Sequence, residues 1–407
     1  MMRMKIILFL FLLPLLLILS PGRMPAKNYL QTNDPLRAGG KVPAIPLLDT
    51  LTKEDHRYLG ITKGLFNFQG KRVFSLQEIP ADYIILEFLN RYCVSCMAQA
   101  PILNNLYEKI AKDKNLRERI KILAVGAGNN LKEIHRFQEE KKISFPIIPD
   151  PEFEAYEAFG NPGGTPYLLI LRQSPEGVLL AKSYLGLIKN GDILLDELKK
   201  FISLDLAAFQ ETIRKNPVSE ADLSRFPHVS WSEEEIRKQI EQSVLEGERS
   251  NGGEKYQLSI QKKDWPEYPE YKDLPEYKDL YVVDSVTPSG PSAQGKKRWF
   301  AKIYNRFPLC DVCHPIYFLL VFNESGVVTN FHPLHIAKHD NIPLSSADTQ
   351  KLKDKIVGRH LEQNYQFQPE YDSVSGATMS VSLIFDSLNK AKGLYQKLKQ
   401  EGYASNL

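Results

Sequence analysis

The sequence predicts an α/β domain, then a charged and proline-rich linker, then a smaller α+β domain. Three observations carry that reading. Between about residues 43 and 203, apolar runs of strand length alternate with helical segments, the pattern of helices packed on a sheet. From Pro266 to Leu280 the tripeptide Pro-Glu-Tyr occurs three times, and Pro-Glu-Tyr-Lys-Asp-Leu twice; repeated prolines resist a packed element and read as an extended linker. Residues 281–405 then open with hairpin-like strands and close on a long helical segment.

The elements follow in chain order. Arg3 and Lys5 precede an apolar run from Ile6 to Leu19, broken by Pro14. That run is shorter than the roughly 20 residues that span a bilayer. Residues 1–22 therefore read as a signal peptide or an N-terminal membrane anchor, which directs the chain out of the cytoplasm into the periplasm or cell envelope. Ser20-Pro21-Gly22 is a poor small-x-small cleavage site, so both forms stay open. Tyr83 to Leu89 is an apolar strand, followed by a helix from about Val94 to Lys112. A second strand covers Lys121 to Gly126 and a polar helix 131–142. Strands at 167–171 and 178–185 meet at Gly177, and 191–203 is a closing helix. Residues 204–280 form the charged, helical and proline-rich linker. In the last domain Tyr317 to Phe322 and Val327 to Phe331 form a hairpin, and 346–357 and 379–400 are helices.

Composition narrows the function. The 407 residues carry 52 Lys plus Arg against 49 Asp plus Glu. This near-balance lacks the basic excess of a nucleic-acid binder, and no nucleic-acid partner is expected. The four cysteines form two pairs, Cys93/Cys96 and Cys310/Cys313, each with two residues between. Two tight pairs in a long chain read as two chemical sites rather than a disulfide scaffold.

Cys93-Val94-Ser95-Cys96 falls where a strand gives way to a helix. A thiol at a helix N-terminus feels the positive end of the macrodipole, which favours the attacking thiolate. Cys93 is then the nucleophile and Cys96 the resolving thiol. With Pro101 five residues on and Gly164-Thr165-Pro166 before the third strand, this segment resembles the thioredoxin superfamily, in its exported thiol–disulfide and redoxin-like branch. The resemblance covers about residues 43–203. It implies a kinked first helix at Pro101, and a cis-proline loop in which Thr165 and Pro166 face the active cysteines. It also implies partners that are protein thiols or disulfides. Tyr92 stands where a Trp often precedes the first cysteine, and Asn90 where a peroxidase reading wants Thr. Val94-Ser95 leaves the direction of electron flow open.

In the last domain, Asp372-Ser373-Val374-Ser375-Gly376-Ala377-Thr378-Met379-Ser380 resembles the flavinylation signature of exported FMN-binding domains. The resemblance implies an FMN-binding-like fold over 281–405 and FMN joined to Thr378 through a phosphoester. Ser375, Gly376, Ala377 and Asp372 would complete the cofactor-binding motif. Gly376 and Ala377 leave room for a bulky group, and a helix N-terminus after Thr378 suits phosphate. A plain Ser/Thr helix cap is the simpler account of the same residues.

Cys310-Asp311-Val312-Cys313-His314 satisfies the haem c attachment pattern, with His314 as axial ligand. It equally suits a second dithiol, or a metal site joined by His332, His335 and His339; all three readings stay open here. Two reactive centres on one chain suggest an electron relay with a redox partner in the envelope. The competing classes are a flavin or haem electron carrier without a disulfide substrate, and a scaffold that binds partners through its Pro-Glu-Tyr repeats.

Overall fold

The computed structural model describes residues 36–61, 66–68, 70–160, 162–215, 231–250, 256–263, 277–286, 297–311 and 313–405. The expected targeting segment 1–22 and most of the Pro-Glu-Tyr repeat lie outside them. Among the described residues no helix is long and apolar enough to cross a membrane.

The first half builds a five-stranded sheet. Its strands are β4 (Tyr83–Leu89), β5 (Ile120–Ala127), β6 (Ile147–Asp150), β7 (Tyr167–Ser174) and β8 (Gly177–Leu185). The spatial order is β6-β5-β4-β7-β8. The first three strands run parallel, and β7 and β8 run antiparallel to them. Every residue of β4 and β5 is buried, as expected of central strands covered on both faces. Helices α2 (Val94–Lys112), α3 (Leu131–Lys141), α4 (Glu154–Ala158) and α5 (Gly191–Ile202) fill the crossovers and close the fold. A small sheet of β1 (Leu47–Leu48), β2 (Phe66–Phe68) and β3 (Lys71–Phe74) and a short helix α1 (Lys53–Leu59) precede it. Central parallel strands, an antiparallel hairpin and a cis Thr165–Pro166 bond entering β7 make this the thioredoxin-like α/β arrangement expected from sequence.

The second half is a five-stranded antiparallel meander: β9 (Gln257–Lys262), β10 (Leu280–Val286), β11 (Arg298–Arg306), β12 (Ile316–Asn323) and β13 (Val328–His335). The two-residue period sorts its side chains. Trp299, Ala301, Leu319 and Val321 pack with Ile240 and Val244 of α7 (Glu233–Ser250). Phe300, Phe318, Leu320 and Phe322 face the opposite core, which α8 (Ser346–Ile356), the short turn α9 (Pro369–Asp372) and α10 (Thr378–Gln400) complete.

The expected linker at 204–280 needs correction. Helix α6 (Leu206–Lys215) buries Phe209 and Ile213 in the first half's core. Helix α7 and strand β9 belong to the second sheet. The two halves are also not separate beads, because the described residues fall in one compact unit. One hydrophobic core runs from Leu86 and Phe88 of β4 through Tyr304 and Phe318 to Tyr395 of α10.

Candidate redox site

Three residues at the end of β4 aim the first cysteine. Asn90 ends the strand, and its side chain donates to Ala127 O (2.7 Å) and accepts from Tyr92 N (2.9 Å). Asn129 accepts from Arg91 N (2.8 Å). The pinned turn delivers Cys93 as the N-cap of α2, where its Sγ accepts from Cys96 N (3.3 Å). Asn90 N in turn donates to Cys96 Sγ (3.5 Å). The cis-proline loop lies against this turn: Cys93 Sγ donates to Thr165 O (3.2 Å). The structure brings Cys93, Cys96, Thr165 and Pro166 together, and the four cysteines form no disulfide.

The second pair joins them, which sequence alone did not place. Thr165 N donates to Leu309 O (2.9 Å), and Asp311 N donates to Thr165 O (3.2 Å). The two segments therefore form a parallel β-bridge between Thr165 and Cys310. The Sγ atoms of Cys93 and Cys310 and a carboxylate oxygen of Asp311 all lie within 4.8 Å of one another. Cys93 is 0% exposed and Cys310 1% exposed.

That cover reverses one expectation. A helix N-terminus alone would favour the Cys93 thiolate. Here hydrogen bonding to Cys310, then to Cys96, and then burial push the Cys93 thiol up. This closed arrangement therefore disfavours the Cys93 thiolate.

Glu87 is a further group that sequence reasoning missed. It sits on β4, completely buried, and burial pushes its carboxyl up to about 8. Gln99 of α2 donates to it (2.7 Å) and accepts from Ile188 N (2.8 Å). A single Glu inside an apolar run was the available signal.

The segment from Asp372 to Ser380 borders the same region. Thr378, half-buried, is the first residue of α10, and Ala377 caps that helix with no side-chain hydrogen bond. The simple Ser/Thr cap is therefore absent. Gly376 takes a positive φ of 75°, which suits glycine, and its carbonyl accepts from His339 N (2.6 Å). Asp372 pairs with Lys355 (2.7 Å) and so serves to hold the loop, while Ser375 is exposed. A cavity of about 260 Å³ opens beside Thr378, lined also by Tyr92, Cys310, Cys313, Lys338 and His339. That is slightly below the roughly 300–1,000 Å³ of common small-molecule sites. Its lining combines the Tyr92 ring, the His339 side chain, Lys338, whose amine pairs with Asp348, and the Thr378 hydroxyl at a helix N-terminus.

The haem reading gains no support from this geometry: Cys310 is 1% exposed and its backbone bridges to Thr165, and His314 stacks on His335 (centroids 5.7 Å, 18° between planes). The metal reading with His332, His335 and His339 also fails. Among the described residues, Cys93, Cys310 and Asp311 form the one cluster of three donors, and no histidine joins it.

Part of the chain is similar to known proteins. Residues 63–175 match the AhpC/TSA family. The thiol-disulfide oxidoreductase ResA of Geobacillus thermodenitrificans is 27% identical over 156 residues, covering 38% of this chain and 76% of the relative. ResA of Bacillus subtilis is 24% identical over 135 residues, covering 30% and 70%. The crystal structure of StoA from Bacillus subtilis aligns over 38% of this chain and 98% of its own, with 18% identity and a TM-score of 0.27. The chain carries a thioredoxin-like thiol–disulfide oxidoreductase domain.

Proposed function

We propose that this protein is an extracytoplasmic thiol–disulfide oxidoreductase that acts on protein thiols or disulfides through Cys93 and Cys96, and that relays electrons between this pair, the Cys310/Cys313 pair and a covalent FMN on Thr378. The observation that carries the reading is the placement of Cys93 at the N-terminus of α2 against the cis Thr165–Pro166 loop. Cys93 attacks or is attacked, and Cys96, one helical turn on, resolves the mixed disulfide. The Thr165 carbonyl and amide supply a short edge to which an extended chain can pair.

The flavin, when bound, supplies transfer of an electron pair to or from a dithiol. Thr378 would hold it through its hydroxyl, Lys338 and His339 would neighbour the phosphate, and Tyr92 and Cys313 would line the ring side. Export rests on the apolar segment at residues 6–19.

Two measurements test the proposal. Reduction of a protein disulfide by the full-length chain should fall at least about a hundredfold in Cys93→Ser, since without the thiolate no mixed disulfide forms; unchanged turnover would remove the enzyme reading. Protein purified from its own envelope should carry a mass excess on the Thr378 peptide, absent in Thr378→Ala. A bare Thr378 peptide would leave a two-dithiol enzyme without flavin.

A further inference from the structure

We propose that the segment Leu309–Asp311 occupies the substrate position of the Cys93/Cys96 site, so that the chain exchanges a disulfide with its own second cysteine pair and caps its own nucleophile between turnovers. The inference rests on the reading of Cys93/Cys96 as the exchange site and adds the identity of its first partner.

Four observations converge. Thr165, next to Pro166, uses both its backbone N–H and its C=O on residues 309 and 311, the main-chain pairing by which an extended peptide is captured. That register brings Cys310, the residue between, to Cys93. The approach is built in on the facing side: a Cβ on Gly164 would lie 3.1 Å from Asp311 Cα and N, and one on Gly186 would lie 3.0 Å from Asp311 Oδ2. Finally, Cys93 is 0% exposed, so an outside protein cannot reach it until this segment leaves.

The exchange balances within the chain. After the first pair has reduced a protein disulfide, Cys93 and Cys96 are joined. The Cys310 thiolate attacks Cys93 Sγ; the Cys93–Cys96 bond breaks, a Cys93–Cys310 bond forms, and Cys96 leaves as thiolate. The Cys313 thiolate then attacks Cys310 Sγ, and Cys93 leaves. Cys310–Cys313 is now the disulfide, and the two protons given up by the second pair end on the first. The steps run equally in reverse, and no outside oxidant enters. Tethering makes the exchange unimolecular, which removes the entropy cost of encounter.

The test uses the full-length chain with Cys96→Ser and Cys313→Ser, leaving Cys93 and Cys310. Oxidised glutathione is added, and peptides are mapped without reduction. The expected product is a monomer with Cys93 joined to Cys310. Separate glutathione adducts on each cysteine, or an intermolecular dimer, would overturn the proposal. Should that variant fail to fold, wild-type protein is acid-quenched and alkylated during turnover. A Cys93–Cys310 peptide pair is expected, and its absence while Cys93–substrate adducts accumulate overturns the inference. A missing cross-link in a chain that still needs Cys93 to reduce disulfides sinks this inference alone. Turnover that ignores Cys93 sinks the function beneath it.

Discussion

Glu87 shows how far one residue can set the pH response of the whole chain. Burial raises its carboxyl from 4.5 to about 8, so the folded chain keeps a proton that the unfolded chain gives up near 4.5. The folded pKa is raised, so the unfolded state binds fewer protons between those values. Stability from this group is therefore highest below about 4.5, falls as pH rises, and levels off above about 8. The full span sums to at most about 5 kcal/mol at 1.36 kcal/mol per pH unit. Glu87→Gln keeps an oxygen for the Gln99 amide and removes the ionisation. Its urea midpoint should match wild type near pH 4.5 and exceed it at pH 8 by the equivalent of a few kcal/mol. Parallel pH curves for the two proteins would show that Glu87 keeps its ordinary titration. The cysteine pairs were legible in the sequence from their spacing, and the cis-proline loop from the family resemblance of Gly164-Thr165-Pro166. Glu87 was not, because a lone carboxylate in a strand reveals nothing of its burial until the strand is known to be central.

At the scale of elements, α7 sets local propensity against packing. A Cβ on Gly247 would sit 2.8 Å from the Thr329 carbonyl oxygen of β13, a backbone atom that cannot swing aside. Gly→Ala in a helix interior ordinarily gains about 1 kcal/mol, while forcing atoms into a packed interface typically costs about 1–3 kcal/mol. Sterics should win, and Gly247→Ala should lower the urea midpoint; a raised midpoint would mean that α7 can lift off β13 at little cost. The same helix explains why the linker reading failed. Its buried stripe is narrow, with Ile240, Ser243, Val244 and Gly247 inward, and acidic residues crowd its first turn. A stripe so short of large apolar side chains reads as a solvated helix. Strand β9 escaped for a related reason. It is an edge strand with Leu258 and Ile260 set among polar neighbours and a lysine at its end, the composition by which edges avoid pairing with other chains. The central elements β4, β5 and α10 were legible because their apolar content leaves one reading.

Across the whole molecule, the two sheets are joined by more than the Thr165–Cys310 bridge. Arg306 at the end of β11 reaches Asp386 of α10 (2.6 Å) and Glu157 of α4 (3.0 Å). Lys390 pairs with the same two carboxylates. All four side chains are largely buried, and the neighbouring cations hold Asp386 below the usual carboxylate range despite its burial. Two cations against two anions make the cluster neutral, so removing one member strands a buried charge. Breaking a buried pair in this way costs about 3–5 kcal/mol. Arg306→Ala should therefore lower the thermal midpoint by several degrees, given that about 1 kcal/mol moves domains of 150–250 residues by roughly 2–4 °C. The shared core carries a second consequence. Phe88 and Tyr156 of the first half and Phe318, Phe331 and Tyr395 of the second belong to one buried cluster. Neither half can unfold without exposing apolar surface of the other, and exposing it is opposed by about 25 cal/mol per Å². Calorimetry should show a single transition for wild type and for Arg306→Ala, with matching calorimetric and van't Hoff enthalpies. Two resolved transitions in wild type would mean that the halves fold independently. The Cys310 segment would then be free to leave Cys93 without loss of either core. A single transition in both proteins would instead confine release of the cap to a local opening of residues near 308–313, with both sheets intact.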